Sequence, residues 1–116
     1  MINFVKVNEG AKINIPVKDY ESCYKLMKDD KTIGFGTINQ NEENKLYIFV
    51  EEQERGKGYG DLLFSKMLEE TKNKGYNQAQ ISFSRNNMPM VKIATHNGGI
   101  HISSDGDTVR YVIPTK

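Results

Sequence analysis

The hydrophobic pattern divides the chain at Glu51. Before it, apolar residues alternate with polar ones in short runs, the mark of half-buried strands. Asn3 to Val7 alternates until Asn8-Glu9-Gly10 interrupts it, and Lys12 to Ile15 alternates until Pro16. Cys23–Met27 and Ile33–Ile38 flank the charged segment Lys28-Asp29-Asp30-Lys31, which predicts an antiparallel hairpin with a four-residue turn. Gly34 and Gly36 fall on one face of its second strand, where another backbone or a ligand can come close. After a polar loop, Leu46–Val50 is a continuous apolar run, which predicts a short strand buried on both faces.

Beyond Glu51 the period changes. Tyr59, Leu63, Met67 and Thr71 recur every fourth residue, and Leu62, Phe64 and Leu68 widen that stripe. This predicts a helix over 59–73 lying on a sheet, with Asp61, Ser65, Glu69 and Lys72 on its opposite side. Lys74-Gly75 ends it. Ala79–Ser84 alternates as a strand, and Asn86-Asn87 caps a second helix, Met88 to His96, with Pro89 tolerated in its first turn. After Asn97-Gly98-Gly99, Ile100–Ile102 and Val109–Ile113 form a last hairpin around Ser103–Asp107. The expected class is α+β: a mixed, mostly antiparallel twisted sheet with two main helices, forming a single domain over residues 1–116.

Composition narrows the setting. With 16 Lys+Arg against 15 Asp+Glu among 116 residues, there is no basic excess of the kind that binds nucleic acid or acidic membranes. No apolar run approaches the roughly 18 to 20 residues of a membrane span, and the N-terminus lacks the apolar centre of a signal peptide. Cys23 is the single cysteine, so an internal disulfide is excluded, and the expected location is cytoplasmic. It reads as a small buried strand residue. His96 and His101 with one cysteine make no metal set, so no metal is expected.

The chemistry concentrates in Phe49-Val50-Glu51-Glu52-Gln53-Glu54-Arg55-Gly56-Lys57-Gly58-Tyr59-Gly60. Three alternate glycines join a strand to the first turn of an amphipathic helix, where free N–H groups and the helix dipole favour an anion. Gly56, Gly58 and Gly60 remove side chains that would block approach and let successive N–H groups converge, while Arg55 and Lys57 add positive charge. The predicted ligand group is a phosphate or pyrophosphate. The bland alternative is a flexible connector whose glycines only make a tight turn. A nucleotide P-loop is excluded because Gly58, not Ser or Thr, follows Lys57, and the dinucleotide-binding fingerprint is absent.

Arg55-Gly56-Lys57-Gly58-Tyr59-Gly60 resembles the Gln/Arg-x-x-Gly-x-Gly/Ala signature of the GNAT-type acyl-CoA N-acyltransferases. Asn87, followed eleven residues later by Gly98-Gly99, is similar to a second element of that family, and the likeness runs from about Cys23 to Ile113. The resemblance implies a GNAT-like fold and transfer of an acetyl group from acetyl-CoA, as co-substrate, to a primary amine. It implies that N–H groups from Arg55 to Gly60 hold the pyrophosphate of coenzyme A. The pantetheine arm would lie between the strands Leu46–Val50 and Ala79–Ser84, touching Asn87. A backbone N–H near Phe49-Val50 would meet the thioester carbonyl.

The chain departs from the family pattern in three places. Asn44 stands where many members have a basic glutamate, and Ala94 where many have an acidic tyrosine, leaving Glu43 and His96 as stand-ins. His96 also reads simply as a polar residue at a helix end. Glu42, Glu43, Glu51, Glu52 and Glu54 read as a solvated acidic rim that can also attract a cationic amine. Met88 and Met90 read as core packing. Only 22 residues precede Cys23 where family members place a strand and two helices, so the acceptor side is expected to be open to a bulky or protein-borne amine, or completed by a second subunit as a homodimer. A non-catalytic acyl-CoA-binding module that regulates a partner protein is the alternative reading.

Overall fold

The computed structural model describes residues 1–7 and 21–115; the strand expected at Lys12–Ile15 lies outside the described residues. Seven strands form one sheet in the order β1-β2-β3-β4-β5-β7-β6. They are β1 (Ile2–Lys6), β2 (Glu21–Lys28), β3 (Lys31–Asn39), β4 (Lys45–Val50), β5 (Gln78–Ser84), β6 (Ile100–Asp105) and β7 (Thr108–Pro114). Helix α1 (Tyr59–Asn73) joins β4 to β5, and α2 (Met88–His96) joins β5 to β6. Every neighbouring pair is antiparallel except β4 and β5.

The face under α1 holds the core. Leu26, Ile38, Leu46, Ala79, Ile81 and Ile113 meet Leu63, Phe64 and Met67, all of them buried. Gly34 and Gly36 are approached closely, as expected, by the next strand and by the helix. A Cβ on Gly36 would lie 2.7 Å from the Met67 sulfur, and one on Gly34 would lie 2.8 Å from the Phe49 carbonyl oxygen. On the same face, the Tyr24 phenol is pushed up to about 12 by burial and then by the Glu70 carboxylate it bonds.

Several sequence expectations need correction. The β2–β3 turn is two residues long, Asp29-Asp30, because Asp29 adopts a left-handed conformation with φ 56° and lets Lys28 and Lys31 pair. Strand β4 is not buried on both faces: α1 covers the side of Leu46, while Tyr47 is 51% exposed on the other. In the last hairpin Ser103, Ser104 and Asp105 belong to β6, leaving Gly106-Asp107 as the turn. Met88 is exposed, and only Met90 of that pair reaches the core.

The parallel pair β4–β5 positions the site. Its single register pair is Lys45 with Gln80, where the Gln80 N–H donates to the Asn44 carbonyl at 3.2 Å. The Asn44 side chain adds a second stitch, donating from Nδ2 to the Gln78 carbonyl at 3.2 Å. Beyond that point the strands no longer pair, so a gap opens toward their C-terminal ends.

Candidate acyl-donor cleft

The backbone direction of β4 follows from one bond. The Glu51 N–H donates to the Ile33 carbonyl of the β3 strand at 2.8 Å. Successive residues of an antiparallel strand point their polar groups to opposite sides. Phe49 therefore faces β3, whereas the N–H groups of Ile48 and Val50 face the β5 gap and have no partner among the described residues. The Val50 carbonyl, on that same side, accepts from Arg55 Nε at 2.9 Å. The Arg55 guanidinium also lies over the Phe49 ring, 5.5 Å from its centroid.

The loop after β4 turns through Glu52–Glu54 and then through two left-handed glycines, Gly56 at φ 80° and Gly58 at φ 85°. A Cβ at either glycine would meet open space, so what requires glycine there is the backbone angle. Gly58 is the N-cap of α1 and supplies no side-chain cap. The first helical bond runs from the Leu62 N–H to the Gly58 carbonyl at 3.1 Å. The Arg55 N–H, expected in the seat, instead donates to the Glu52 carbonyl at 3.2 Å, and the N–H groups from Gly56 to Asp61 have no hydrogen-bond partner among the described residues. Six uncommitted donors at the positive end of a 15-residue helix form a seat for an anion.

A cleft of about 510 Å³ runs from this seat to the open edge of β4, lined by Ile48, Phe49, Val50, Arg55, Gly56, Gly58, Gly60, Asp61, Asn87, Pro89, Met90 and Ile93. Gly60 sits where the helices close in, its missing Cβ 3.2 Å from Ile93 Cδ1. Asn87 caps α2, its Oδ1 accepting from the Met90 N–H at 3.3 Å, which leaves its Nδ2 on the cleft side without a partner among the described residues.

Of the residues singled out from sequence, Lys57 and Tyr59 do not line the cleft. Lys57 turns to Glu54 at 3.2 Å, and Tyr59 lies under Lys28, whose Nζ is 5.9 Å from its ring centroid. Glu54 is not part of a solvated rim. It is buried, holds Lys28 at 3.4 Å as well, and so ties the loop to the β2–β3 hairpin. The hydrogen bond from Lys57 holds its carboxyl below the usual carboxylate range. A group lowered in the folded state stabilises above its ordinary pKa of about 4.3 and loses that contribution as pH falls through its folded value. The melting temperature of the native protein is therefore expected to fall steadily as pH drops through that acid window, and Glu54→Gln is expected to start lower at neutral pH and change less across it.

Asp61 was expected to face solvent. Instead its carboxylate joins the helices, accepting from Asn97 Nδ2 at 2.9 Å and pairing with His96 Nδ1 at 2.9 Å. His96 thus stands at the loop end of the cleft, away from the open edge of β4. Ala94 is buried under Gly99. Sequence reasoning missed Ile48, Asp61, Pro89, Met90 and Ile93. The strand alternation and the i, i+3 spacing of Met90 and Ile93 carried the signal for three of them. Among the described residues, no three His, Cys, Asp or Glu side chains gather to hold a metal, and no helix is long and apolar enough to cross a membrane.

A family model described as an acetyltransferase (GNAT) domain matches residues 19–97. The chain belongs to the GNAT acetyltransferase family. Its fold is that of the family: a GNAT acetyltransferase from Elizabethkingia anophelis, solved with acetyl-CoA bound, is similar with a TM-score of 0.80 at 15% identity, covering 97% of each chain. An IAA acetyltransferase from Bacillus cereus gives 0.84 at 14% identity, covering 98% of this chain and 99% of that one. The ribosomal-protein-S18-alanine N-acetyltransferase of Escherichia coli gives 0.77 at 11% identity, covering 100% and 95%. No curated protein sequence matches the chain. GNAT acyltransferases take their acyl group from acetyl-CoA and need no metal.

Proposed function

We propose that this protein is an acetyl-CoA-dependent N-acetyltransferase that passes the acetyl group to a primary amine by direct attack on the thioester. The observation that carries the reading is one continuous cleft with unpaired donors at both ends. The N–H groups from Gly56 to Asp61 lie at one end, and those of Ile48 and Val50 at the other. The residues present suit coenzyme A. The glycine turn accepts a pyrophosphate without steric hindrance, and the open edge of β4 can pair with an amide-bearing pantetheine arm as with an added strand. The cleft's volume falls within the range of small-molecule sites, about 300 to 1,000 Å³. Phe49, Val50, Arg55, Gly56, Lys57, Gly58, Tyr59, Gly60 and Asn87 are the binding residues in this reading, to which the structure's cleft adds Ile48. Lys57 and Tyr59 act by shaping the loop.

Bound in this way, acetyl-CoA supplies an activated thioester. The chain's part is to fix it and to stabilise the charge that develops on its carbonyl oxygen. A β4 N–H aimed into the gap does this without reorganising, since the strand holds it in place. The new C–N bond forms as the C–S bond breaks. The amine proton leaves to Glu43 or to solvent, and the thiolate takes a proton to become free coenzyme A. Holding donor and acceptor together makes the step effectively unimolecular.

Asn44 and Ala94, at positions where the family often carries its base and acid, favour one second reading: a module that binds acyl-CoA without turning it over and regulates a partner. Thiol release from acetyl-CoA across a panel of primary amines separates the two. Amine-dependent release above the hydrolysis background is the expected result; tight binding with no amine-dependent release would establish the sensor instead.

A further inference from the structure

A second cavity, of about 390 Å³, opens on the other face of the sheet, over the same pair of strands. Its position follows from the registers. Ala79 and Ile81 are buried under α1, so Gln80 and Ser82 point to the opposite face, and Arg110 pairs with Ser82 across β5–β7. Glu42, Glu43 and Lys45 close the cavity from the start of β4. In parallel register with Lys45 and Gln80, Ser82 stands level with Tyr47, one residue short of the Ile48 N–H. The cavity thus reaches the open end of the β4–β5 gap from the side opposite the donor cleft.

Its walls carry both signs of charge, and the charges are not spent on each other. Glu43 accepts a hydrogen bond from Gln80 Nε2, which draws its carboxylate over β5, and Glu42 accepts from Asn39. Arg110 donates Nε to Ser103 Oγ at 3.3 Å. Among the described residues, neither Arg110 nor Lys45 is within ion-pair distance of a carboxylate. Glu43 and Asn44 both hold left-handed backbone angles, φ 58° and 63°, a cost that persists only where the surroundings impose it. That turn is what lifts the Glu43 side chain to the cavity while Asn44 stitches β4 to β5. Gln80, which holds Glu43, and Ser82, which pairs with Arg110, are two residues apart on β5, so the anchors of the carboxylate and the guanidinium are offset by about 5 Å across the strands and about 7 Å along them. That is the scale of a small molecule bearing an amine and a carboxylate together.

We infer that the acceptor is an amine that also carries a carboxylate, an amino acid or a molecule ending in one. Glu43 receives the ammonium end next to the β4–β5 gap, and Arg110, on the far side of β5, takes the carboxylate. This rests on the acyltransferase reading and names the acceptor class of that same site. A guanidinium–carboxylate contact discriminates where a bare amine leaves the guanidinium unused.

The test uses the full chain, acetyl-CoA and thiol release. Small amino acids are compared with their amides and with the corresponding decarboxylated amines. Because the amides are weaker bases than the acids and the amines stronger, intrinsic nucleophilicity cannot mimic the preference. The amino acids are expected to show kcat/KM about ten- to hundredfold above both analogues, chiefly through KM. Arg110→Gln should shrink that ratio about tenfold while leaving acetyl-CoA affinity, read by calorimetry, in place. Equal or faster turnover of the analogues, equal loss on all acceptors in Arg110→Gln, or acetyl-CoA binding with no amino acid accepted would each overturn the inference. Absence of acetyl-CoA binding would instead overturn the acyltransferase reading beneath it.

Discussion

Gly58→Asp is expected to abolish acetyl-CoA binding, lowering affinity at least a hundredfold, while the protein remains folded. Gly58 is the N-cap of α1 with φ 85°, and the N–H groups that follow it have no partner among the described residues. Aspartate tolerates the left-handed region better than most residues, at a cost of about 1 to 2 kcal/mol against glycine. Its side chain would place bulk and a negative charge in the seat that a phosphate needs. That cost is a fraction of the roughly 5 to 15 kcal/mol that typically separates folded from unfolded. The melting temperature should therefore fall by roughly 5 to 15 °C, leaving a folded protein, while titration heat disappears. Retained affinity would place the phosphate site elsewhere.

Phe64→Ala is expected to give the largest loss of stability. Phe64 is fully buried in α1, packed in the cluster that joins the helix to the sheet. Removing a buried phenyl ring costs about 3 to 5 kcal/mol, much of the 5 to 15 kcal/mol that typically separates folded from unfolded. For a chain of 116 residues this corresponds to a fall in melting temperature of roughly 10 to 25 °C. Below its new transition the variant should still bind acetyl-CoA within about threefold, because the ring does not line the cleft. Circular dichroism melts paired with low-temperature titration check both halves. Unchanged stability would mean the core is not where the packing puts it.

Much of the fold was legible because its signals are local. The period-four stripe of Tyr59, Leu63, Met67 and Thr71 gave α1, and alternation gave the strands on either side. The glycine loop was legible for the same reason: strand, glycines and helix are contiguous. What escaped depends on contacts distant in sequence. Whether β4 is covered on one face or two depends on which elements pack over Tyr47. Glu54 looked like part of an exposed acidic run until Lys28, 26 residues away, came into reach. Asp61 looked like a solvent-side residue because its partners, His96 and Asn97, lie on another helix. The acceptor-side cavity assembles from three strands and a turn whose left-handed angles at Glu43 and Asn44 leave no pattern in the sequence.

The most direct measurement is calorimetric titration of acetyl-CoA into the purified protein, repeated with free coenzyme A. The N–H seat and the open β4 edge predict saturable, roughly one-to-one binding of both, with dissociation constants below about 100 μM, a binding free energy more favourable than about −5.5 kcal/mol. Gly58→Asp should erase the heat for both ligands. No binding of either ligand at millimolar concentration would contradict the account.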